Sequence, residues 1–162
     1  PYTVDFGNAR VVGEGTDITL VGISYMLVEC LAARELLAEA GISAAVIDPV
    51  SLLPLDVDTI TESAGRPGRL LVVDNAWVTC GAGAEIGAAV CERREGASPL
   101  AVGRMGYAPT TCPTTPALEK YFYPNAVTIA SKAHSMVRPD EPEWAPDAEP
   151  TLPHEAVFRG PF

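Results

Sequence analysis

The chain has 162 residues, 48% of them apolar, enough for one domain with a sizeable core. Its net charge is −10 and it has no basic run, which argues against a nucleic-acid partner, whose phosphates need clustered Lys and Arg. No apolar stretch reaches the ~18 residues of a membrane span, and Pro1-Tyr2-Thr3-Val4-Asp5 has neither the basic start nor the apolar middle of a signal peptide. The four cysteines, Cys30, Cys80, Cys91 and Cys112, form no CxxC pair, so reduced thiols in a cytoplasmic protein are expected.

In chain order, residues 1–16 are polar and glycine-punctuated, and the patch at 9–12 reads as a short edge strand. Residues 17–23, DITLVGI, are the first full strand. Met26, Cys30, Ala33 and Leu37 then recur at helical spacing within 25–40, with Ser24 as the expected cap and Gly41 as the stop. A second strand is expected over 42–48 and a short helix from Asp56, its N-cap, to about Ala64.

Leu70 to Val73 are four consecutive apolar residues between Gly68 and Asp74-Asn75, the pattern of a strand buried on both faces. After a turn with Gly81 and Gly83, a helix is expected from Ala84, with Ile86, Ala89 and Val90 on one face. Gly83 and Gly87, four apart, share a face on which another backbone can come close. A fourth full strand is expected over 99–104, a helical turn over 117–123, and a last helix over 126–137 capped by Asn125. The alternation predicts an α/β fold: a three-layer αβα domain over 1–137 with a mostly parallel sheet of about five strands. Residues 138–162 hold six prolines and six acids and show no apolar periodicity, so a separate extended or disordered arm is expected there. Trp144, Val157, Phe158 and Phe162 are the residues able to pin it to a surface.

Candidate chemistry is sparse. Gly81-Ala82-Gly83 opens a helix as a dinucleotide site does, but the third glycine of that fingerprint falls on Ile86. Gly22-Ile23-Ser24-Tyr25-Met26 lacks the final glycine of a nucleophile elbow, and neither His134 nor His154 follows a core strand. Two His and four scattered Cys give no zinc spacing, and Asp56 and Asp58 read as cap residues. Asp74, Asn75 and Trp77 remain, at the carboxyl end of a parallel strand where ligands and partners of such sheets sit. Without a base, nucleophile or metal beside them they read as interface residues, together with Gly83 and Gly87.

Three blocks in order carry a family resemblance. Gly7, Ala9, Val11, Gly15, Asp17, Thr19 and Val21 match one spaced motif. Asp48, Leu52, Pro54, Leu55 and Asp56 match a D-x-x-x-L-x-P-L-D block, and Gly106, Pro113, Leu118, Glu119 and Pro124 match a third. The pattern resembles the C-terminal domain of the transketolase superfamily, nearest to the beta chain of thiamine-diphosphate-dependent 2-oxo acid dehydrogenases of the pyruvate, branched-chain and acetoin types. Asp74-Asn75-Ala76-Trp77 stands where many members are more acidic, and Pro109-Thr110 departs from the third block.

The resemblance implies a domain that takes part in assembly. In the family the cofactor, thiamine diphosphate with magnesium, lies between a diphosphate-binding domain carrying a G-D-G…N motif and a pyrimidine-binding domain supplying a glutamate. Neither is present in these residues, so this chain alone is expected to bind no cofactor and to carry no catalytic or metal residue. The implied partners are those two domains or subunits, a second copy in a homodimer, and the acyltransferase core. A free-standing flavodoxin-like nucleotide-binding domain, which would take a stoichiometric ligand, and a protein-interaction module of another system are the alternatives.

Overall fold

In a computed structural model, residues 3–149 are described. Five strands form one sheet: β1 (Arg10–Gly13), β2 (Ile18–Gly22), β3 (Ala44–Asp48), β4 (Arg69–Trp77) and β5 (Ala101–Tyr107). The order across the sheet is β1-β3-β2-β4-β5, with β1 antiparallel on one edge and the other four parallel. The chain therefore winds outward from β2 in one direction and from β4 in the other, and the switch lies between them.

The helices are α1 (Met26–Glu39), α2 (Val57–Gly65), α3 (Ala82–Arg93), the short α4 (Pro116–Glu119) and α5 (Ala126–Val137). Alternate side chains of the central strands feed two cores. Ile18, Leu20, Val46, Leu71 and Val73 pack with α1 and α5, whereas Val21, Ile47, Leu70 and Val72 pack with α2 and α3. This two-sided burial is why the central strands read as continuous apolar runs.

Helix ends follow their local chemistry. Asp56 accepts from Thr59 N at 3.0 Å and starts α2. Asn125 and Thr128 close a reciprocal capping box on α5. Gly41, at φ 72, ends α1 with bonds from Gly41 N to Ala38 O at 3.0 Å and Ile42 N to Leu37 O at 2.9 Å.

Two expectations are corrected. Ser24 does not cap α1: it lies at φ 57, Tyr25 takes the cap position without a side-chain bond, and Met26 N and Leu27 N bond back to Ile23 O and Ser24 O instead. Asp74-Asn75 does not bound the strand, because β4 runs on to Trp77, which pairs with Tyr107 after an irregularity in register. The described part of the arm is held on the domain at Trp144. Residues 138–149 have no helix or strand, yet the Trp144 ring stacks on His134 at 4.7 Å, and Arg138 Nη2 donates to Ala40 O at 3.0 Å. Val157, Phe158 and Phe162 lie outside the described residues.

Candidate functional site

The carboxyl edge of the parallel strands carries most of the unusual chemistry. Ser24, Val50 and Cys80 have φ of 57°, 60° and 58°, and they follow the ends of β2, β3 and β4 respectively. A left-handed conformation at a β-branched residue such as Val50 costs on the order of 1–3 kcal/mol, and such positions concentrate where a surface is shaped for a ligand or partner.

Asp74 sits at this edge, 9% exposed. Burial raises its pKa above the ordinary carboxylate value, partly opposed by the bond from Asn75 N. Asn75 is exposed, and Trp77 is half-exposed. Trp77 meets Tyr107 and Phe122 edge-on at 5.6 and 5.9 Å, and Tyr107 stacks on Phe122 at 4.9 Å. Tyr123 closes this ledge, at 5.4 Å from Tyr107. A groove of about 500 Å³ beside it is lined by Thr111, Cys112, Pro113, Leu118, Tyr121 and Phe122. A hydrogen bond with Cys112, aided by burial, pushes Tyr123 up to about 12.

Gly83 and Gly87 are not part of this surface. Both are buried, and a Cβ on either would meet the chain's own sheet: Val72 Cγ1 at 3.4 Å for Gly83 and Val102 Cγ1 at 3.2 Å for Gly87. Asp74, Asn75 and Trp77 follow one another at the end of β4, and the two glycines pack α3 against the sheet.

Two features were not anticipated from sequence. Glu29 lies in the first turn of α1, 8% exposed, and its Oε2 accepts from Ala126 N, the first residue of α5, at 2.8 Å. The Tyr25 hydroxyl also bonds it, and burial nevertheless leaves its pKa raised. The signal available was an acid four residues after Tyr25 on an otherwise apolar face. The second is a set of exposed apolar side chains at the β3 end: Leu53 at 93%, Phe6 at 82% and Leu52 at 47%. Leu52 belongs to a matched motif, but nothing in the motif says that it faces outward.

What this edge can do chemically is limited. Among the described residues no three His, Cys, Asp or Glu side chains gather to hold a metal. Asp74 lies amid aromatic side chains, and Asp48 and Asp56 are engaged with Arg10, Val50 N, Thr59 and Ala9 N, so the edge does not gather the several oxygen ligands that the magnesium of a diphosphate needs. The surface is suited to burial against another apolar surface.

Residues 7–129 match the model of the transketolase C-terminal domain. The chain is 35% identical over 137 residues to the beta subunit of acetoin:2,6-dichlorophenolindophenol oxidoreductase of Cupriavidus necator, covering 85% of this chain and 40% of that one. It is 39% identical over 132 residues to the beta subunit of the pyruvate dehydrogenase E1 component of Staphylococcus aureus, covering 82% and 40%. Among solved structures, a split-gene transketolase described as an inactive β4 tetramer superposes with a TM-score of 0.73 at 28% identity, over 84% of this chain and 44% of that one. The chain thus spans about 40% of the length of these two curated relatives.

Proposed function

The chain belongs to the transketolase C-terminal domain family, and from that premise we propose that it is the assembly domain of a thiamine-diphosphate-dependent enzyme of the 2-oxo acid dehydrogenase or transketolase kind. The observation that carries this reading is the carboxyl edge of the sheet. Where a nucleotide-binding relative of this architecture would hold its ligand, this chain exposes Leu53, Trp77 and Tyr121 and buries Asp74. Such a surface associates by burying apolar area at roughly 25 cal/mol per Å².

The chemistry would come from diphosphate-binding and pyrimidine-binding domains or subunits, with Asp74, Asn75 and Trp77 on the contact face. A second copy of the chain and the acyltransferase core of a dehydrogenase complex are further partners on this reading. Among the described residues no helix is long and apolar enough to cross a membrane, and we place the protein in the cytoplasm.

The test is calorimetric titration of the isolated chain with thiamine diphosphate and magnesium. No saturable heat is expected. A one-to-one complex at micromolar concentration would overturn the reading in favour of a cofactor site within this chain.

A further inference from the structure

The exposed apolar side chains after β3 and the aromatic ledge belong to different parts of the sheet edge: β3 lies two strand spacings, roughly 10 Å, from β4, which carries Trp77, and three, roughly 14 Å, from β5, which carries Tyr107. The ledge rings pack on one another, whereas Leu53 and Phe6 project into solvent.

Phe6 is brought beside the 51–54 turn by its neighbour. Gly7 N donates to Ser51 Oγ at 3.0 Å, and a Cβ on Gly7 would stand 2.9 Å from Pro54 Cγ. The turn is fixed from within: Val50 N donates to Asp48 Oδ1 at 2.9 Å, and Ser51 Oγ donates to Pro54 O at 2.6 Å. Ala9 N donates to Asp56 Oδ2 at 2.9 Å, which ties the incoming segment to the far end of the same turn. A tip ordered in advance loses little conformational freedom when it is covered.

The two carboxylates beneath the tip are already engaged. Asp48 bonds Val50 N and pairs with Arg10. Asp56 bonds Thr59 and Ala9 N, and these bonds outweigh its burial and hold its pKa below the ordinary value. With both carboxylates engaged, the tip offers Phe6, Leu52 and Leu53 to a partner, which suits an apolar surface.

We propose that Phe6, Leu52 and Leu53 form the contact for the domain that precedes this one in its relatives. The inference rests on the assembly reading above and adds which surface takes which partner. The match spans 40% of the Cupriavidus necator relative, and because the matched model is that of a carboxyl-terminal domain we take the other 60% to come before it. A preceding domain connects through the segment that holds Phe6. Tethered within a few residues of the tip, it meets the tip at an effective concentration in the millimolar range, so a small apolar contact suffices.

The experiment joins the unmatched amino-terminal portion of the Cupriavidus necator relative to the full 162-residue chain and compares this fusion with the chain alone. Leu53→Cys and, as a control on the ledge, Tyr121→Cys are labelled with a maleimide, and each site is followed by peptide mass mapping. At least tenfold slower labelling of Leu53→Cys in the folded fusion than in the chain alone is expected, with Tyr121→Cys unchanged. Leu53→Asp in the fusion is expected to split one unfolding transition into two. Protection of Tyr121→Cys with none at Leu53→Cys would overturn this inference and leave the assembly reading standing. Protection at neither site would also overturn this inference, whereas the assembly reading falls to a cofactor complex in the calorimetric titration.

Discussion

At the scale of single residues, Glu29 decides more than its place in the sequence suggests. It joins the first turn of α1 to the first residue of α5, and through Asn125 Nδ2 donating to Lys120 O at 3.2 Å the same junction holds the segment carrying the ledge. Burial lifts its pKa, against the bonds from Ala126 N and Tyr25. The folded state therefore holds a proton that the unfolded chain has already released just above the ordinary glutamate range. This contribution to stability is complete below that range and falls as pH rises through the raised value. Glu29→Gln keeps an oxygen for Ala126 N and does not titrate. Its melting temperature relative to wild type should rise as pH is taken from 4 to 7, measured by circular dichroism at each pH. A difference that stays constant across this range would show that Glu29 does not titrate in it.

At the scale of one element, α3 owes its closeness to the sheet to two small residues with different tolerances. A Cβ at Gly87 would lie 3.2 Å from Val102 Cγ1, already tight, so the longer branched side chain of Gly87→Leu overpacks the site. Such overpacking costs about 1–3 kcal/mol. A Cβ at Gly83 would lie 3.4 Å from Val72 Cγ1, near ordinary contact, and exchanging a helical glycine for alanine gains up to about 1 kcal/mol of helix propensity. Urea unfolding should therefore place the midpoint of Gly87→Leu well below wild type and that of Gly83→Ala at or above it. Equal midpoints for Gly87→Leu and wild type would mean that α3 can move away from β5 without loss.

At the scale of the whole molecule, the segment after α5 lies as a strap on the α1–α5 core. Trp144 covers His134 and packs against the α1–α5 core, and Glu141 lies 3.6 Å from His134 Nε2. A half-buried tryptophan of this kind contributes about 1–2 kcal/mol through its buried area and its stacking. We propose that 1–137 is the folding unit. Removing residues 139–162 should lower the melting temperature by the amount that Trp144→Ala alone lowers it, and both variants should keep a single cooperative transition. A truncated chain that melts without cooperativity would make the strap part of the fold.

The sequence by itself determined what depends on neighbours along the chain or on repeating pattern. The runs at 18–22 and 70–73 could only be strands covered on both faces, and Asp56 and Asn125 carry their caps within three residues. Gly41 marked the end of α1 for the same reason, since a backbone at φ 72 suits no other residue as well. Asp74, Asn75 and Trp77 were legible as edge residues because a parallel strand ends near them. The tertiary structure alone decided the rest, because those outcomes depend on residues far apart in the chain. Glu29 is buried only because α5 begins above it, 97 positions later. Gly83 and Gly87 face the sheet only because β4 and β5 pass beneath α3. Gly7, next to Phe6, meets the 51–54 turn only because Gly7 N finds Ser51 Oγ, 44 positions away, and no local pattern encodes that meeting.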